Sequence, residues 1–291
     1  MNKIIRKEQL SEDVWLMEVI APHIAEESLA GQFIILQVDE EFGERIPLTI
    51  AKSDVSAGSI TIVFQTVGAT THKLAEHAVG DHVAGVLGPL GKPSRIAHVG
   101  RVLAVGGGIG VAPLYPIVQA QKAAGNHVTV IMGARTRELV IFESEMRAVA
   151  DEVIVCTDDG SYGRKALVTV PLKELCASDQ PPDEVVAIGP PIMMKFCAET
   201  TRPFQIPTVV SLNTIMVDGT GMCGGCRVTV GDETKFVCVD GPEFDGHLVD
   251  FDNMMKRMKA YKKTETEAHA SYHDADVCKL GQGSGKVKQQ P

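Results

Sequence analysis

The sequence predicts a multi-domain fold with an antiparallel β-barrel, a parallel-sheet α/β domain and a small cysteine-rich module. Three changes of pattern along the chain predict it. Residues 1–97 alternate short β-rich runs with turn signals, residues 98–210 alternate strands with helices, and residues 211–262 are rich in glycine and cysteine. The remaining residues, 263–291, form a polar tail with too little apolar surface to fold alone. A length of 291 residues agrees with two or three domains.

Charge and hydropathy restrict the classes of partner. The chain has 28 Lys and Arg against 37 Asp and Glu, a net charge of −9, which argues against nucleic acid or an anionic membrane as the main partner. No apolar run is long enough to span a bilayer, and the N-terminus lacks the apolar stretch of a secretory signal. We therefore expect a cytoplasmic protein that acts on small molecules and on other proteins.

The barrel prediction depends on five β-rich runs without a long helical period. They are VWLMEVIAP, GQFIILQV, RIPLTIA, SITIVFQTV and HVAGVLGPLG. Arg45 offers a cation for a phosphate with a strand behind it, and Gly68 to Thr71 offer hydroxyl groups where a helix could start. Taken alone, each segment also agrees with ordinary strand and helix-cap chemistry.

The α/β domain begins at Arg101. Its strands and helices follow in alternation as RVLAVGGG, GVAPLYPIVQAQKAAG, HVTVIMGAR, FESEMRAVA, EVIVCTDDGS, EVVAIGPP and IMMKFCAETT. The glycine-rich turn from Gly106 to Pro113 follows a buried strand and opens a helix, where N–H groups and the helix dipole can receive a pyrophosphate. The usual G-x-G-x-x-G fingerprint fails, because Val111 or Pro113 stands where its last glycine would be. On its own, such a turn equally fits a plain strand-to-helix connection.

The strongest local signal is the spacing of Cys223, Cys226 and Cys238. It resembles the C-x4-C-x2-C pattern of a plant-type 2Fe-2S cluster, with a distant further cysteine. Asp218 stands where the first cysteine would be, and a carboxylate is an alternative oxygen ligand. A zinc site that includes His247, or a structural turn with free thiols, remains an alternative interpretation.

The other features of this half of the chain have a structural interpretation. A short amphipathic helix is predicted from Leu248 to about Lys263, packed on its own module or docked to a partner. We expect buried or free thiols at the four scattered cysteines, which are Cys156, Cys176, Cys197 and Cys278.

Taken in order, these segments resemble the iron–sulfur branch of the ferredoxin-NADP reductase superfamily over about residues 1 to 260. The branch includes electron-transfer subunits of dihydroorotate dehydrogenase, of sulfide dehydrogenase and of NADH-dependent reduced ferredoxin:NADP oxidoreductase. The first has a four-cysteine pattern, whereas the Asp-x4-Cys-x2-Cys-x11-Cys pattern of this chain is similar to that of the other two.

The resemblance implies the residues that bind each cofactor. For FAD they are Arg45, Pro47, Leu48, Thr49, Phe64, Gln65, Thr66, Gly68, Thr70 and Thr71. For the nicotinamide nucleotide they are Gly106, Gly107, Gly108, Gly110, Ala112, Pro113, Gly133, Arg135, Asp158, Asp159, Gly160, Gly189, Pro190 and Met193. For the 2Fe-2S cluster they are Asp218, Cys223, Cys226 and Cys238.

The resemblance also implies a function. It implies an oxidoreductase subunit in which a hydride passes between NAD(H) and FAD and single electrons leave through the cluster. Hydride transfer needs no acid or base, so no catalytic side chain is predicted. Arg135 and Arg137 could meet the 2′-phosphate of NADP(H), but the resemblance favours NAD(H).

The implied partner is a larger flavoprotein with FAD and 4Fe-4S clusters, with which ferredoxin reacts. The complex would couple NADH and reduced ferredoxin to NADP reduction by electron bifurcation. The alternatives are the electron-transfer subunit of dihydroorotate dehydrogenase or of sulfide dehydrogenase and, in another class, a zinc-stabilised binding module without activity.

Overall fold

The computed structural model describes residues 2–40 and 44–270. The predicted tail beyond residue 270, with Cys278, lies outside the described residues. The described chain contains two seven-stranded sheets and a two-stranded hairpin. Within this part of the chain, no helix is both long and apolar enough to cross a bilayer.

The first sheet is the predicted barrel, in the order β6-β1-β2-β5-β4-β3-β7 with antiparallel neighbours. Its strands are β1 (Asn2–Ser11), β2 (Val14–Ile20), β3 (Phe33–Gln37), β4 (Arg45–Asp54), β5 (Ser59–Gln65), β6 (His82–Val83) and β7 (Gly85–Leu90). The two edge strands, β6 and β7, are separated in the chain by Ala84 alone, so the sheet curls back on itself. Two short helices lie between the strands, α1 (Pro22–Glu27) and α2 (Ala69–Glu76).

Strand β3 is buried on both faces, and this links the barrel to the rest of the molecule. Ile34 and Leu36 pack in the barrel core. Phe33 and Ile35, which alternate with them, belong to a second core that includes the α/β sheet and Cys226. The barrel therefore shares a dry interface with the cysteine-rich region.

The second sheet is parallel in the order β11-β10-β9-β8-β12-β13. Its strands are β8 (Arg101–Gly107), β9 (His127–Ala134), β10 (Glu152–Thr157), β11 (Arg164–Lys165), β12 (Glu184–Ile188) and β13 (Thr208–Ser211). The connecting helices are α3 (Val111–Ala123), α4 (Glu143–Val149), α5 (Thr169–Cys176) and α6 (Pro191–Thr201). The strand order reverses between β8 and β12, which makes that position the topological switch point where open α/β sheets bind ligands.

The cysteine-rich region is not built apart from this sheet. After the hairpin of β14 (Arg227–Val230) and β15 (Glu233–Phe236) and the short helix α7 (Val237–Asp240), strand β16 (Glu243–Asp245) pairs antiparallel with β13. The predicted module thus supplies the seventh strand of the α/β sheet.

The predicted amphipathic helix is shorter than expected. Helix α8 spans Phe251–Met258 and buries Phe251 and Met254 against its own chain, in the core shared with Cys226. Residues 262–270, of which 263–270 were predicted as part of a tail, are helical and almost entirely exposed. His269 in this segment packs against His72 of α2, with ring centroids 5.0 Å apart and the ring planes tilted by 53°.

Candidate functional site

The predicted nucleotide residues meet at the switch point of the parallel sheet. We call residues 106–113, which run from the end of β8 into the first turn of α3, the nucleotide loop. A Cβ on Gly107 would lie 2.3 Å from the Sδ of Met193, and a Cβ on Gly189 would lie 3.1 Å from the Cα of Gly107. The ends of β8 and β12, which are far apart in sequence, are therefore in direct contact.

Tight packing explains another glycine of the nucleotide loop. A Cβ on Gly110 would lie 2.4 Å from the carbonyl oxygen of Ile188, although its φ of −61° suits any residue. Helix α3 follows at once with Ala112 and Pro113 in its first turn and no acidic residue there. The first turn thus places the positive end of the helix dipole at the sheet edge, a favourable place for a pyrophosphate. Its N–H groups are few, because Pro113 has none and the N–H of Val111 bonds to the carbonyl of Gly108.

The ends of β9 and β10 carry the remaining predicted nucleotide residues. The N–H of Asp158 donates to the carbonyl of Ala134 at 3.1 Å, and the N–H of Asp159 donates to that of Arg135 at 3.3 Å. These bonds hold the two turns side by side above the sheet. Gly133 also lies there, where a Cβ would be 2.4 Å from Val168 Cγ1, and Gly160 adopts a φ of +80°.

Charges of both signs surround this edge. Hydrogen bonds from the N–H and hydroxyl of Ser161 lower the pKa of Asp159, so its carboxylate is ionised at neutral pH. Arg135 is exposed, whereas the guanidinium of Arg137 lies over the ring of Tyr162 at 5.3 Å. Of the two arginines considered for a 2′-phosphate, Arg137 is therefore already in contact with a side chain of its own chain.

The predicted flavin residues of β4 divide between its two faces. Pro47 pairs with Ile35 and Thr49 with Phe33 on β3, so these side chains share the outer face of the barrel. Leu48 packs instead against the barrel core. Arg45 begins the strand and is exposed.

Phe64 on β5 is 1% exposed and lies in the barrel core, so only its main chain can face a cofactor. Side chains along a strand point alternately to its two faces. The sequence motif alone does not tell which of its residues face the core. Gln65 is exposed and Thr66 half-buried beyond the end of the strand.

The predicted phosphate turn lies at the start of α2. The Oγ1 of Thr71 accepts from the N–H groups of Val67 and Gly68 at 3.0 and 3.1 Å. The hydroxyl of Thr70 donates to Glu44 Oε2 at 2.7 Å. Both predicted hydroxyl groups are thus close together at the helix start, where they also stabilise the turn itself.

The four predicted cluster ligands lie in the loop that we call the cluster loop, residues 218–226, and in α7. The thiols of Cys226 and Cys238 are buried, with their Sγ atoms 3.2 Å apart. The carboxylate of Asp218 accepts from the N–H of Cys223 at 2.8 Å and from that of Thr220 at 2.7 Å. These backbone hydrogen bonds lower the pKa of Asp218, while burial raises the pKa of Cys238 to about 12.

The arrangement of the four predicted ligands does not suit a single metal ion. Among the described residues, no group of three or more metal-binding side chains is gathered at a single point. A structural zinc would need about four donors around one ion, whereas each iron of a 2Fe-2S cluster takes two protein ligands. His247, the proposed fourth zinc ligand, is instead hydrogen-bonded through Nε2 to Thr201 at 2.9 Å. The residues present therefore fit a two-iron cluster and disfavour zinc.

Three residues near the cluster loop were missed by sequence reasoning. Arg227 donates to the carbonyl of Gly224 at 3.0 Å, and Arg257 of α8 lies 3.4 Å from that of Gly225. Ile35 of the barrel packs against the loop from the other side. Nothing in the spacing of the motif points to Arg257 or Ile35, because both reach the loop only through tertiary packing.

Comparison with known proteins agrees with this geometry. The model of a family described as the oxidoreductase NAD-binding domain matches residues 104–199, and that of the iron-sulfur cluster binding domain of dihydroorotate dehydrogenase B matches residues 213–250. A Thermotoga maritima protein, named as a homologue of the dihydroorotate dehydrogenase B (NAD(+)) electron transfer subunit, is 47% identical over 265 residues. The alignment covers 91% of this chain and 93% of that relative.

This chain belongs to the dihydroorotate dehydrogenase B electron-transfer-subunit family. It is thereby placed in the iron–sulfur branch of the ferredoxin-NADP reductase superfamily, as the sequence resemblance predicted. A solved chain of the NADH-dependent reduced ferredoxin-NADP oxidoreductase, studied for flavin-based electron bifurcation, is 45% identical with a TM-score of 0.88 and covers 94% of this chain and 98% of its own length.

More distant members of the superfamily support the fold. Phthalate dioxygenase reductase matches with a TM-score of 0.58 at 18% identity, over 79% of this chain and 86% of its own. The predicted combination of barrel, nucleotide-binding sheet and iron–sulfur region is confirmed. The predicted cofactors of this chain are confirmed as well. They are FAD, an iron–sulfur cluster and NAD(H). The protein is an electron-transfer subunit of an NADH-dependent oxidoreductase.

Proposed function

We propose that this protein is the FAD- and 2Fe-2S-containing electron-transfer subunit of a flavin-based electron-bifurcating NADH-dependent reduced ferredoxin:NADP oxidoreductase. It exchanges a hydride with NAD(H) and single electrons with a partner flavoprotein. The observation that carries the proposal is the full-length likeness to a chain of such an enzyme, at 45% identity and a TM-score of 0.88. The carboxylate of Asp218, in place of a first cysteine, supports it.

The nucleotide is bound at the switch point of the parallel sheet. The nucleotide loop and the first turn of α3 hold the pyrophosphate through main-chain N–H groups. The turns after β9 and β10, with Arg135, Asp158 and Asp159, line the same edge of the parallel sheet and contact the rest of the nucleotide. The glycines at 107 and 110 let the nucleotide loop pack closely against Met193 and Ile188, which fixes the main chain that the nucleotide contacts.

FAD supplies the conversion of one hydride into two single-electron transfers. The barrel's contribution is to hold it. Arg45 places a positive charge at the exposed start of β4, and Pro47 and Thr49 present a flat outer face beside it. The turn from Gly68 to Thr71 receives a phosphate at the start of α2.

The buried thiols of Cys226 and Cys238 would hold one iron of the cluster. Asp218 and Cys223, whose backbone N–H donates to the Asp218 carboxylate, would hold the other. Cys223 is exposed, and its neighbour Met222 is 89% exposed. The side of Cys223 would therefore be the one on which a partner could accept an electron.

The partner we propose is a larger flavoprotein with FAD and 4Fe-4S clusters, to which ferredoxin binds. The apolar side chains exposed around the exit, Met222, Val217 and Val239, suit a protein surface rather than a small molecule. A second candidate function is electron transfer from a dihydroorotate-oxidising partner. The iron–sulfur family model and the relatives named as dihydroorotate dehydrogenase B subunits favour that candidate.

One experiment separates the candidates. The chain is isolated anaerobically from its native cells, and the protein that accompanies it in equal amount is identified by peptide sequencing. The intact complex is then assayed for NADP reduction with NADH and reduced ferredoxin together, and for NAD reduction with dihydroorotate. NADP reduction that requires both donors supports the proposal, whereas dihydroorotate-dependent NAD reduction contradicts it. A colourless protein that contains zinc would contradict both.

A further inference from the structure

The segment that carries Asp218 packs directly onto the barrel. Gly219 has a φ of +74°, and a Cβ there would lie 2.7 Å from Ile35 Cγ1 and 2.8 Å from Leu90 Cδ1. Real Cβ atoms do not approach other atoms so closely, so the main chain of the cluster loop rests on these two side chains. The residue next to a proposed iron ligand is thus in contact with strands β3 and β7.

Ile35 lies between the cluster loop and the proposed flavin strand. It is opposite Pro47 of β4 in the antiparallel ladder, so the two side chains are neighbours on the outer face of the barrel. On the other side, Ile35 contacts Gly219. A packing route from β4 to the residue beside Asp218 therefore passes through Ile35.

The contact is dry and close-packed. Ile35 and Phe33 are each 3% exposed and share one core with Cys226 and Cys238. Leu90 is partly buried against the same core. Interiors of this kind resist compression and transmit displacements, so a change of volume at the contact moves the loop rather than being absorbed.

We propose that Ile35 and Gly219 are positioning residues that set the separation between FAD and the cluster, and so the rate at which reduced flavin passes an electron to the oxidised cluster. In this step the flavin loses one electron and the cluster gains it, and no bond is formed or broken. The inference rests on the proposed function, because it takes FAD to lie on β4 and Asp218 to be an iron ligand.

The test compares two glycine substitutions in the complete, cofactor-loaded protein. Gly219→Ala adds a methyl group where Ile35 and Leu90 leave no room. Gly231→Ala is the matched control, because Gly231 also has a positive φ, of +60°, but no atom lies within 4 Å of its Cβ position. Both variants carry the same kind of backbone strain, and one of them alone carries the steric conflict.

Two phases are followed after rapid mixing with NADH. Loss of flavin absorbance reports hydride transfer, and the electron paramagnetic resonance signal of rapidly frozen samples reports reduction of the cluster. We expect both variants to reduce flavin at the wild-type rate. Cluster reduction in Gly219→Ala should be slower than in wild type, whereas Gly231→Ala should match wild type. Release of iron to a chelator, which does not depend on turnover, should also be faster in Gly219→Ala.

A compensating change makes the test specific. Ile35→Ala removes the Cγ1 and Cδ1 atoms that an alanine at 219 would meet, so the double variant should recover part of the lost rate. If Gly219→Ala does not retain iron, Ile35→Val takes its place, with Ile34→Val on the opposite face of β3 as its control. We expect the rate of cluster reduction to change in Ile35→Val and to stay at the wild-type value in Ile34→Val.

The outcomes separate this inference from the proposed function. If NADH reduces the flavin of the wild-type protein but its cluster stays oxidised, the proposed function fails. If the wild-type cluster is reduced and Gly219→Ala and Gly231→Ala reduce theirs equally fast, the inference alone is overturned. If Ile35→Val is used in place of Gly219→Ala, equal rates of cluster reduction in Ile35→Val and Ile34→Val overturn the inference alone.

Discussion

The nucleotide loop and the cluster loop are both rich in glycine, but for different physical reasons. In the nucleotide loop, Gly107 and Gly110 have ordinary φ angles, and it is their neighbours that leave no space for a side chain. In the cluster loop, Gly219, Gly221 and Gly224 have φ angles of +74°, +85° and +66°. Gly107 and Gly110 are therefore needed for close packing, although Gly108 beside them has a φ of +54°. The glycines of the cluster loop are needed mainly for backbone conformation, and Gly219 for close packing as well.

This difference teaches how each site is held in place. The nucleotide loop is clamped between β8 and β12, so the sheet alone fixes its shape before any ligand binds. The cluster loop is a series of turns whose functional groups are side chains, of which Cys223 is exposed. We therefore expect the nucleotide site to be most sensitive to added volume. The cluster site should be most sensitive to the loss of a ligand, and sensitive to added volume at Gly219.

The largest effect should follow from loss of a buried cluster ligand. Cys238→Ala removes one of the two thiols that lie 3.2 Å apart. We expect the iron content to fall to near zero, because one iron loses half of its protein ligands, while NADH still reduces the flavin. Colorimetric iron analysis and stopped-flow absorbance measure the two properties.

Cys176→Ala is the control for this substitution. Cys176 is equally buried, at 4% exposed, but lies on α5 in the nucleotide-binding half of the chain. It should keep its iron. Retention of a full complement of iron by Cys238→Ala would show that the pairing of ligands is wrong.

The next largest effect tests the clamped loop. Gly110→Ala places a Cβ 2.4 Å from the backbone oxygen of Ile188, a conflict that no side-chain rotation relieves. We expect a loss of about 1–3 kcal/mol in the free energy of unfolding and a marked fall in kcat/KM for NADH, with the iron content unchanged. Thermal unfolding and steady-state reduction of an artificial acceptor are the measurements.

Gly85→Ala is the matched control for the loop. Gly85 also lacks a positive φ, but no atom lies within 4 Å of its Cβ position. Its alanine variant should bind and oxidise NADH as the wild type does. Equal stability of the two variants would mean that the loop is not clamped by β12.

The two regions also differ in how far the sequence predicts them. The strands that carry the nucleotide loop are unbroken apolar runs followed by glycine, and the sequence places their ends together because parallel strands end at one edge. In the cysteine-rich region, strand β16 is only three residues long and includes Glu243 and Asp245. Its pairing with β13 is decided by tertiary contact, so no local signal reveals it.

The second limit of sequence reasoning is that it does not tell which face of a strand each side chain lies on. The first four residues of β3, FIIL, are all apolar, so they do not tell which of them enter the barrel core and which contact the cluster loop. The same limit affects Leu48 and Phe64, which the motif assigns to the flavin but whose side chains pack in the barrel. The residue types were sufficient to predict the cofactors, and the geometry was needed to orient them.

A smaller effect, on stability, should follow from a change on β16, the strand that joins the cysteine-rich region to the parallel sheet. Burial raises the pKa of Glu243, a neighbouring carboxylate at Glu184 raises it further, and a hydrogen bond from Ser94 at 2.5 Å opposes both. Below the pKa of the unfolded chain, Glu243 is protonated in both states and has no effect on the pH dependence. As the pH rises through the higher pKa of the folded state, the folded protein is left with a buried carboxylate and loses stability.

Glu243→Gln should therefore stabilise the protein at pH 8 by on the order of 1 kcal/mol and make no difference below pH 4. Thermal unfolding across this pH range measures the effect. Glu26→Gln, an exposed change on α1, should have no effect at either pH. A Glu243→Gln variant that loses stability at pH 8 would mean that the carboxylate is compensated in the folded state.

The smallest effect is expected from the ion pair that joins α8 to α6. Lys195 Nζ lies 2.8 Å from Asp252 Oδ1, and the Asp252 side chain is 76% exposed. Solvent screens such a pair, so Asp252→Asn should cost no more than about 1 kcal/mol in the free energy of unfolding, and less at 1 M salt. The cysteine-rich region is held to the sheet by the β13–β16 ladder and by the buried side chains of Phe251 and Met254. The iron content of the variant should therefore not change. Iron loss in Asp252→Asn would show that a surface charge, rather than this core, keeps the cluster region in place.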